Sequence, residues 1–194
     1  MSHDVMPNAA LSNATALNAN DVIAFWLEAG PELWFGGGPG FDARCRAAFL
    51  SAWQDARVGR LDRWAETPDG ALALVLLLDQ MPRNMFRGTA DAYATDPAAR
   101  RTAHRAIERR FDRAFPPELA RFFALPFMHS EDPADQALSV FLAEGLGGDA
   151  PRWARHHAEI VARFGRFPHR NAILGRLSRP DEHAYLADPD AFRG

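Results

Sequence analysis

A chain of 194 residues, 47% of them hydrophobic, is long enough for one continuous core, and nothing in it marks a second domain. A formal net charge of -3 and an isoelectric point near 6.2 exclude a nucleic-acid protein held by bulk electrostatics, and the longest apolar run, Ala71 to Leu78, is far too short to cross a bilayer. Lysine is absent, so all 22 basic side chains are Arg; that excludes a Schiff-base or P-loop lysine and leaves guanidinium as the strong anion binder.

Residues 1–19 are rich in Asn, Ala and Ser and lack the basic start and apolar centre of a signal peptide; they read as a loosely ordered arm before a single all-α domain over residues 20–194. Asn20 or Asp21 is placed to cap a helix over Val22 to Glu28, with Ile23, Phe25, Trp26 and Leu27 on its apolar face and Gly30-Pro31 as its end. Gly36 to Gly40 lacks the lysine and preceding strand of a phosphate loop and reads as a connector. A longer helix after Asp42 carries Phe49, Leu50 and Trp53, with a break near Gly59. Its Cys45, the sole cysteine, reads as a buried thiol and rules out an intrachain disulfide; a reducing cytoplasm fits such usage.

Thr67-Pro68 starts a third helix, because Thr caps well and Pro suits the first turn. It runs through Leu72, Leu74, Val75, Leu76, Leu77 and Leu78, apolar almost all round, which predicts a central position. Asp96-Pro97 opens a helix with Ile107, Phe111 and Phe115 inward. Pro116-Pro117 restarts the chain into Leu119, Phe122, Phe123 and Leu125, and Pro126 interrupts it. Asp132-Pro133 opens a segment ending near Gly147-Gly148, Asp149 is placed to cap the next, and Ser178-Arg179-Pro180-Asp181 resembles the capping box of a short terminal helix. Short links between helices favour antiparallel hairpins, stacked as a bundle or as a tetratricopeptide-like array, although no repeat of about thirty-four residues is present.

Polar residues break the helical spacing in three places. The first holds Asp79, Gln80, Arg83, Asn84 and Arg87 at the end of the most apolar helix, where a lone buried charge is costly and pairing is expected. The second is His129-Ser130-Glu131, which offers an acid–base pair or, equally, a helix cap. The third runs from Arg155, His156, His157 and Glu159, part of it an ordinary charged helix face, to Arg166, His169, Arg170, Asn171 and Arg176. The Arg-Asn pairs of the first and third clusters suit either an anion clamp or a lock between two helix ends. A metal held by His129, Glu131, His157 and His169 ranks below an organic or phosphate anion, because no spacing fixes them around one ion.

Together Phe25-Trp26, Trp34-Phe35, Phe41-Asp42, Asp79-Gln80-Met81-Pro82-Arg83-Asn84-Met85-Phe86-Arg87, Leu125-Pro126-Phe127-Met128-His129-Ser130-Glu131 and Phe164-Gly165-Arg166-Phe167-Pro168-His169-Arg170-Asn171 resemble DUF924, a mainly bacterial family of unknown function. The resemblance covers nearly everything after the arm and implies a compact, tetratricopeptide-like all-α fold. It supplies no activity.

These clusters support the expectation of one cleft for a small anionic metabolite. Arg83 and Arg170 would hold its carboxylate or phosphate, with Asn84 and Asn171 orienting it. Asp79 and Glu131 would align the guanidinium groups, with Gln80, Arg87 and Arg166 beside them. Any proton transfer would fall to His129 or His169, with Glu131 setting the tautomer. No cofactor is identified, and neither nucleic acid nor membrane is an expected partner. The rival reading is a helical interaction module whose aromatic and Arg-rich groove takes a peptide segment, with the polar motifs as braces.

Overall fold

The computed structural model describes residues 17–193, so all but the last three residues of the expected arm lie outside the described residues. Among the described residues the regular structure is helical throughout, and no helix is long and apolar enough to cross a membrane.

Helix α1 spans Ala19–Gly36. Its cap is Asn18, not Asn20 or Asp21: the Asn18 side chain accepts from the Asn20 and Asp21 amides, and the Asp21 carboxylate accepts from the Asn18 amide at 2.8 Å. Gly30, at φ 73°, breaks the helix where Gly30-Pro31 predicted an end, but the chain turns helical again and carries Trp34 back onto Trp26. Helix α2, Pro39–Arg57, begins three residues before Asp42, because Pro39 supplies the first turn and the Asp42 carboxylate instead receives Arg87.

Helix α3, Pro68–Val75, is capped by Thr67 as its sequence predicts, with the hydroxyl accepting from the Gly70 amide. It continues without interruption through a π-helical turn, Leu76–Gln80, into α4, Met81–Met85. Residues 71–78 are all buried, so this rod is the centre of the molecule. Helices α1 and α5, Asp96–Glu108, pack on α3, while α2 lies along α4 and the π turn. The inward face of α5 is a stripe of Ala99, Ala103 and Ala106, with Ile107 and the following Phe111 and Phe115 half-buried at its margin. Small residues there let the helix sit close to the rod.

Two short helices follow, α6 at Pro117–Ala120 and α7 at Leu125–Met128. The break between them is a 3-10 turn at Arg121–Phe123, and Pro126, expected to interrupt a helix, instead occupies the first turn of α7. Helix α8, Pro133–Leu146, is capped by Asp132, whose carboxylate accepts from the Ala134 amide at 2.7 Å, and forms a hairpin with α9, Ala150–Phe164. Asp149 precedes α9 but its side chain caps nothing; it pairs with Arg121 at 3.1 Å. Gly165, in the left-handed region, ends α9. In the last helix, α10 (Pro180–Ala187), Glu182 rather than Ser178 closes the cap by accepting from the Arg179 amide at 2.7 Å.

Candidate functional site

The π turn determines what happens at the end of the central rod. It widens the helix by one residue locally, and its fourth residue is Asp79, which has no exposed surface. The Asp79 carboxylate accepts from Gln80 Nε2 at 2.5 Å, from His129 Nδ1 at 2.9 Å and from Arg83, one helical turn on, at 3.2 Å. Arg83 also donates to both oxygens of Asp96, the first residue of α5, at 3.0 and 3.1 Å. The rod, the start of α5 and the residue after α7 are thereby tied together.

Arg170, from the 3-10 turn Pro168–Arg170 that follows α9, completes this cluster. It donates to the His129 carbonyl at 2.9 Å and lies between the rings of Tyr93 (4.7 Å) and Phe167 (4.4 Å). Its nearest carboxylate oxygen, on Asp96, is 3.8 Å away, beyond hydrogen-bond reach. Beside it opens a cavity of about 370 Å³ lined by Arg83, Tyr93, His129, His157, His169, Arg170 and, on the far wall, Ile173, Phe192 and Arg193.

The ionisation of these groups follows from burial and neighbours. Burial alone would raise the Asp79 pKa, but Arg83 and the His129 bond outweigh it and hold the carboxyl well below the usual range. Burial works against the Arg83 cation too, yet Asp79 and Asp96 raise its pKa. Arg170 lacks that compensation: burial, with Arg83 adding, pushes it down to about 10. Burial and the nearby cation Arg83 lower His129, with Asp79 opposing. Burial, then His129, puts His157 at about 3, and burial, then Arg170, puts His169 at about 3. The three imidazoles are therefore neutral at pH 7, and Asp79 to His129 is a hydrogen bond to a neutral ring.

The expected single cluster resolves into two. Glu131 does not set the tautomer of His129, which is held by Asp79. Its carboxylate accepts from Arg176 at 2.6 and 3.0 Å and from the Phe167 amide at 2.8 Å, and these donors overcome burial to lower its pKa. Arg166 donates to Glu182 at 2.6 and 2.7 Å, and Asn171 to Ser178 and Glu182, while Asn171 Oδ1 accepts from Arg176. These side chains pin the chain between Gly165 and α10 to the body; they brace the loop that carries His169 and Arg170 instead of facing the cavity. Likewise Asn84 bonds the Gln80 carbonyl and Arg87, and Arg87, although it reaches the cavity rim, is held by Asp42.

Tyr93, Asp96 and His157 were not among the expected site residues. Asp96 has the look of a helix cap, and Tyr93 lies in an isolated 3-10 turn with no periodicity to place it. For His157 a signal existed: with Ala154, Val161 and Phe164 it falls on the buried face of α9, at helical spacing. Among the described residues no group of three or more His, Cys, Asp or Glu is placed to hold a metal ion.

No curated protein matches the chain. Among solved structures, that of a protein of unknown function from Agrobacterium tumefaciens is similar, with a TM-score of 0.85 and 49% identity over 87% of this chain and 96% of that one. It is matched along almost its whole length, and the rod, α5, α7 and the loop after α9 that together make the cavity all fall within residues 22–190, the stretch matched by the bacterial proteins of unknown function called DUF924. The chain belongs to that family.

Proposed function

We propose that the cavity beside Arg170 binds a small anion, a carboxylate or a phosphate, and that His129 is the group available for proton transfer to or from it. The observation that carries this reading is Arg170 itself: a guanidinium 7% exposed, on a cavity wall, with no carboxylate in hydrogen-bond reach. Buried charges are normally paired, and an anion in the cavity would complete the pair. Arg83, fixed by Asp79 and Asp96, supplies the second positive charge. Asp79 holds His129 through Nδ1, the arrangement that leaves Nε2 as a base in a fixed orientation.

Thermal unfolding of the protein with phosphate and with a panel of small carboxylates tests this. A saturable rise in melting temperature, lost in Arg170→Met, is the expected result, because a ligand bound only by the folded state stabilises it by mass action. A rise that survives in Arg170→Met, or no rise with any anion, overturns the reading; in the latter case the peptide-binding alternative takes its place.

A further inference from the structure

The hydrogen-bond polarity of the cavity wall goes further than its charge, and this inference rests on the anion reading above. His129 and His157 each commit Nδ1 to an oxygen, the first to the Asp79 carboxylate at 2.9 Å, the second to the Trp153 carbonyl at 2.8 Å. Neither oxygen carries a proton, so each Nδ1 must be the donor. In a neutral ring that leaves Nε2 as a bare lone pair. Among the described residues neither Nε2 has a partner, and neither is sealed from solvent. Both rings line the cavity, with centroids 6.4 Å apart.

His169 has the opposite arrangement. Its Nδ1 is sealed from solvent with no partner. A stranded N–H is rarer in folded proteins than a stranded acceptor, so the proton belongs on Nε2, where the ring presents a donor. The wall therefore offers two cations, one neutral donor and two acceptors that nothing in the protein satisfies.

We propose that the ligand is an anion carrying its own hydroxyl group, a hydroxycarboxylate or a hydroxylated phosphate ester, whose O–H donates to Nε2 of His129 or His157 while its anionic group meets Arg170 and Arg83. An anion without a donor leaves both imidazole lone pairs unpaired in a desolvated site. An ammonium donor, as in an amino acid, would bring a third positive charge beside Arg83 and Arg170, so hydroxyl is the better match. The ring of Phe192, 4.6 Å from His157 and 5.1 Å from His169 between centroids, closes the far side with an apolar surface suited to a short carbon skeleton.

Matched ligands test the proposal by titration calorimetry on the full chain: lactate against propanoate and alanine, and 2-hydroxyethyl phosphate against ethyl phosphate. The hydroxylated member should bind about ten- to a hundredfold more tightly, the usual consequence of leaving a buried polar group unpaired. Preference in the carboxylate pair alone or the phosphate pair alone supports the proposal and assigns the anionic group. Equal affinity within both pairs overturns it while leaving the anion site standing; binding of none of the five overturns the anion reading with it. Histidine ¹⁵N spectra at pH 7 give an independent readout, with protons expected on Nδ1 of His129 and His157 and on Nε2 of His169. A proton on Nε2 of His157 overturns the donor requirement whatever the calorimetry shows.

Discussion

Arg83 and Arg170 face the same cavity, yet neutralising them should have opposite consequences for stability. Replacing Arg170 with Met keeps the length of the side chain and removes its charge. The fold opposes that charge: a pKa pushed down from 12.5 to about 10 corresponds to about 3 kcal/mol against the cation. What is lost is one charged hydrogen bond to the His129 carbonyl, worth about 1.5–3 kcal/mol, and the contacts with Tyr93 and Phe167, which Met sulfur partly restores. The two sides nearly cancel, so Arg170→Met should unfold within about 5 °C of the unmodified protein. Arg83→Met strands Asp79, with no exposed surface, and Asp96, at 7%, without their cation. Removing one partner from such a set costs about 3–5 kcal/mol, or about 6–20 °C in a chain of this size. Thermal unfolding followed by circular dichroism, without added anions, separates the two, and anion binding should be lost in both. If Arg170→Met falls as far as Arg83→Met, the Arg170 charge is a structural brace and its claim to a ligand fails.

Acid should weaken the fold before any carboxylate titrates. His157 and His169 stay neutral down to about pH 3 when folded but take a proton near pH 6.5 when unfolded, so over that window the unfolded state binds more protons and stability falls with acidification, by up to about 1.4 kcal/mol per pH unit for each ring. Urea midpoints between pH 6.5 and 4.5 measure this; His157→Gln should roughly halve the slope, and a flat profile in the unmodified protein would show that the rings are not held neutral. Cys45 has no exposed surface and its thiol is pushed up to about 12, chiefly by burial, so it should resist iodoacetamide at pH 8 in the native protein and react on unfolding; rapid native labelling would contradict its burial. Gly70→Ala should destabilise by about 3 kcal/mol or more in denaturant titrations, because a Cβ there meets the Trp64 carbonyl oxygen at 2.0 Å and backbone cannot yield as a side chain does; an unchanged midpoint would mean that the turn before α3 is looser than its geometry.

Much of the fold could be read from the chain because its helices announce their beginnings. Thr67-Pro68, Pro116-Pro117 and Asp132-Pro133 all start helices where their chemistry predicts, and the apolar run from Ala71 to Leu78 marks the centre without help from neighbours. Acids at helix starts were less reliable. Asp42, Asp96 and Asp149 all have the sequence signature of a cap, but their carboxylates go to Arg87, Arg83 and Arg121, far away in the chain, and local spacing does not distinguish these two uses. The same holds for the site. Asp79, Arg83, His129 and Arg170 come together as their motifs suggested, whereas Glu131, Arg166 and Asn171 share those motifs and serve the neighbouring brace, because their partners Arg176 and Glu182 sit in segments that carried no sign of burial.

The π turn has one more implication, for changes in chain length. Five residues there occupy a stretch that an α-helix would wind differently, so the turn behaves as a single-residue insertion in an otherwise regular rod. Deleting one residue between Leu76 and Gln80 would let α3 and α4 join as ordinary helix and would rotate all that follows by about 100° around the axis. The rod would still be helical and apolar, but Arg83 would leave Asp96, and Arg87 would leave Asp42. An alignment that slips by one position here would pair chemically matching residues that point in different directions.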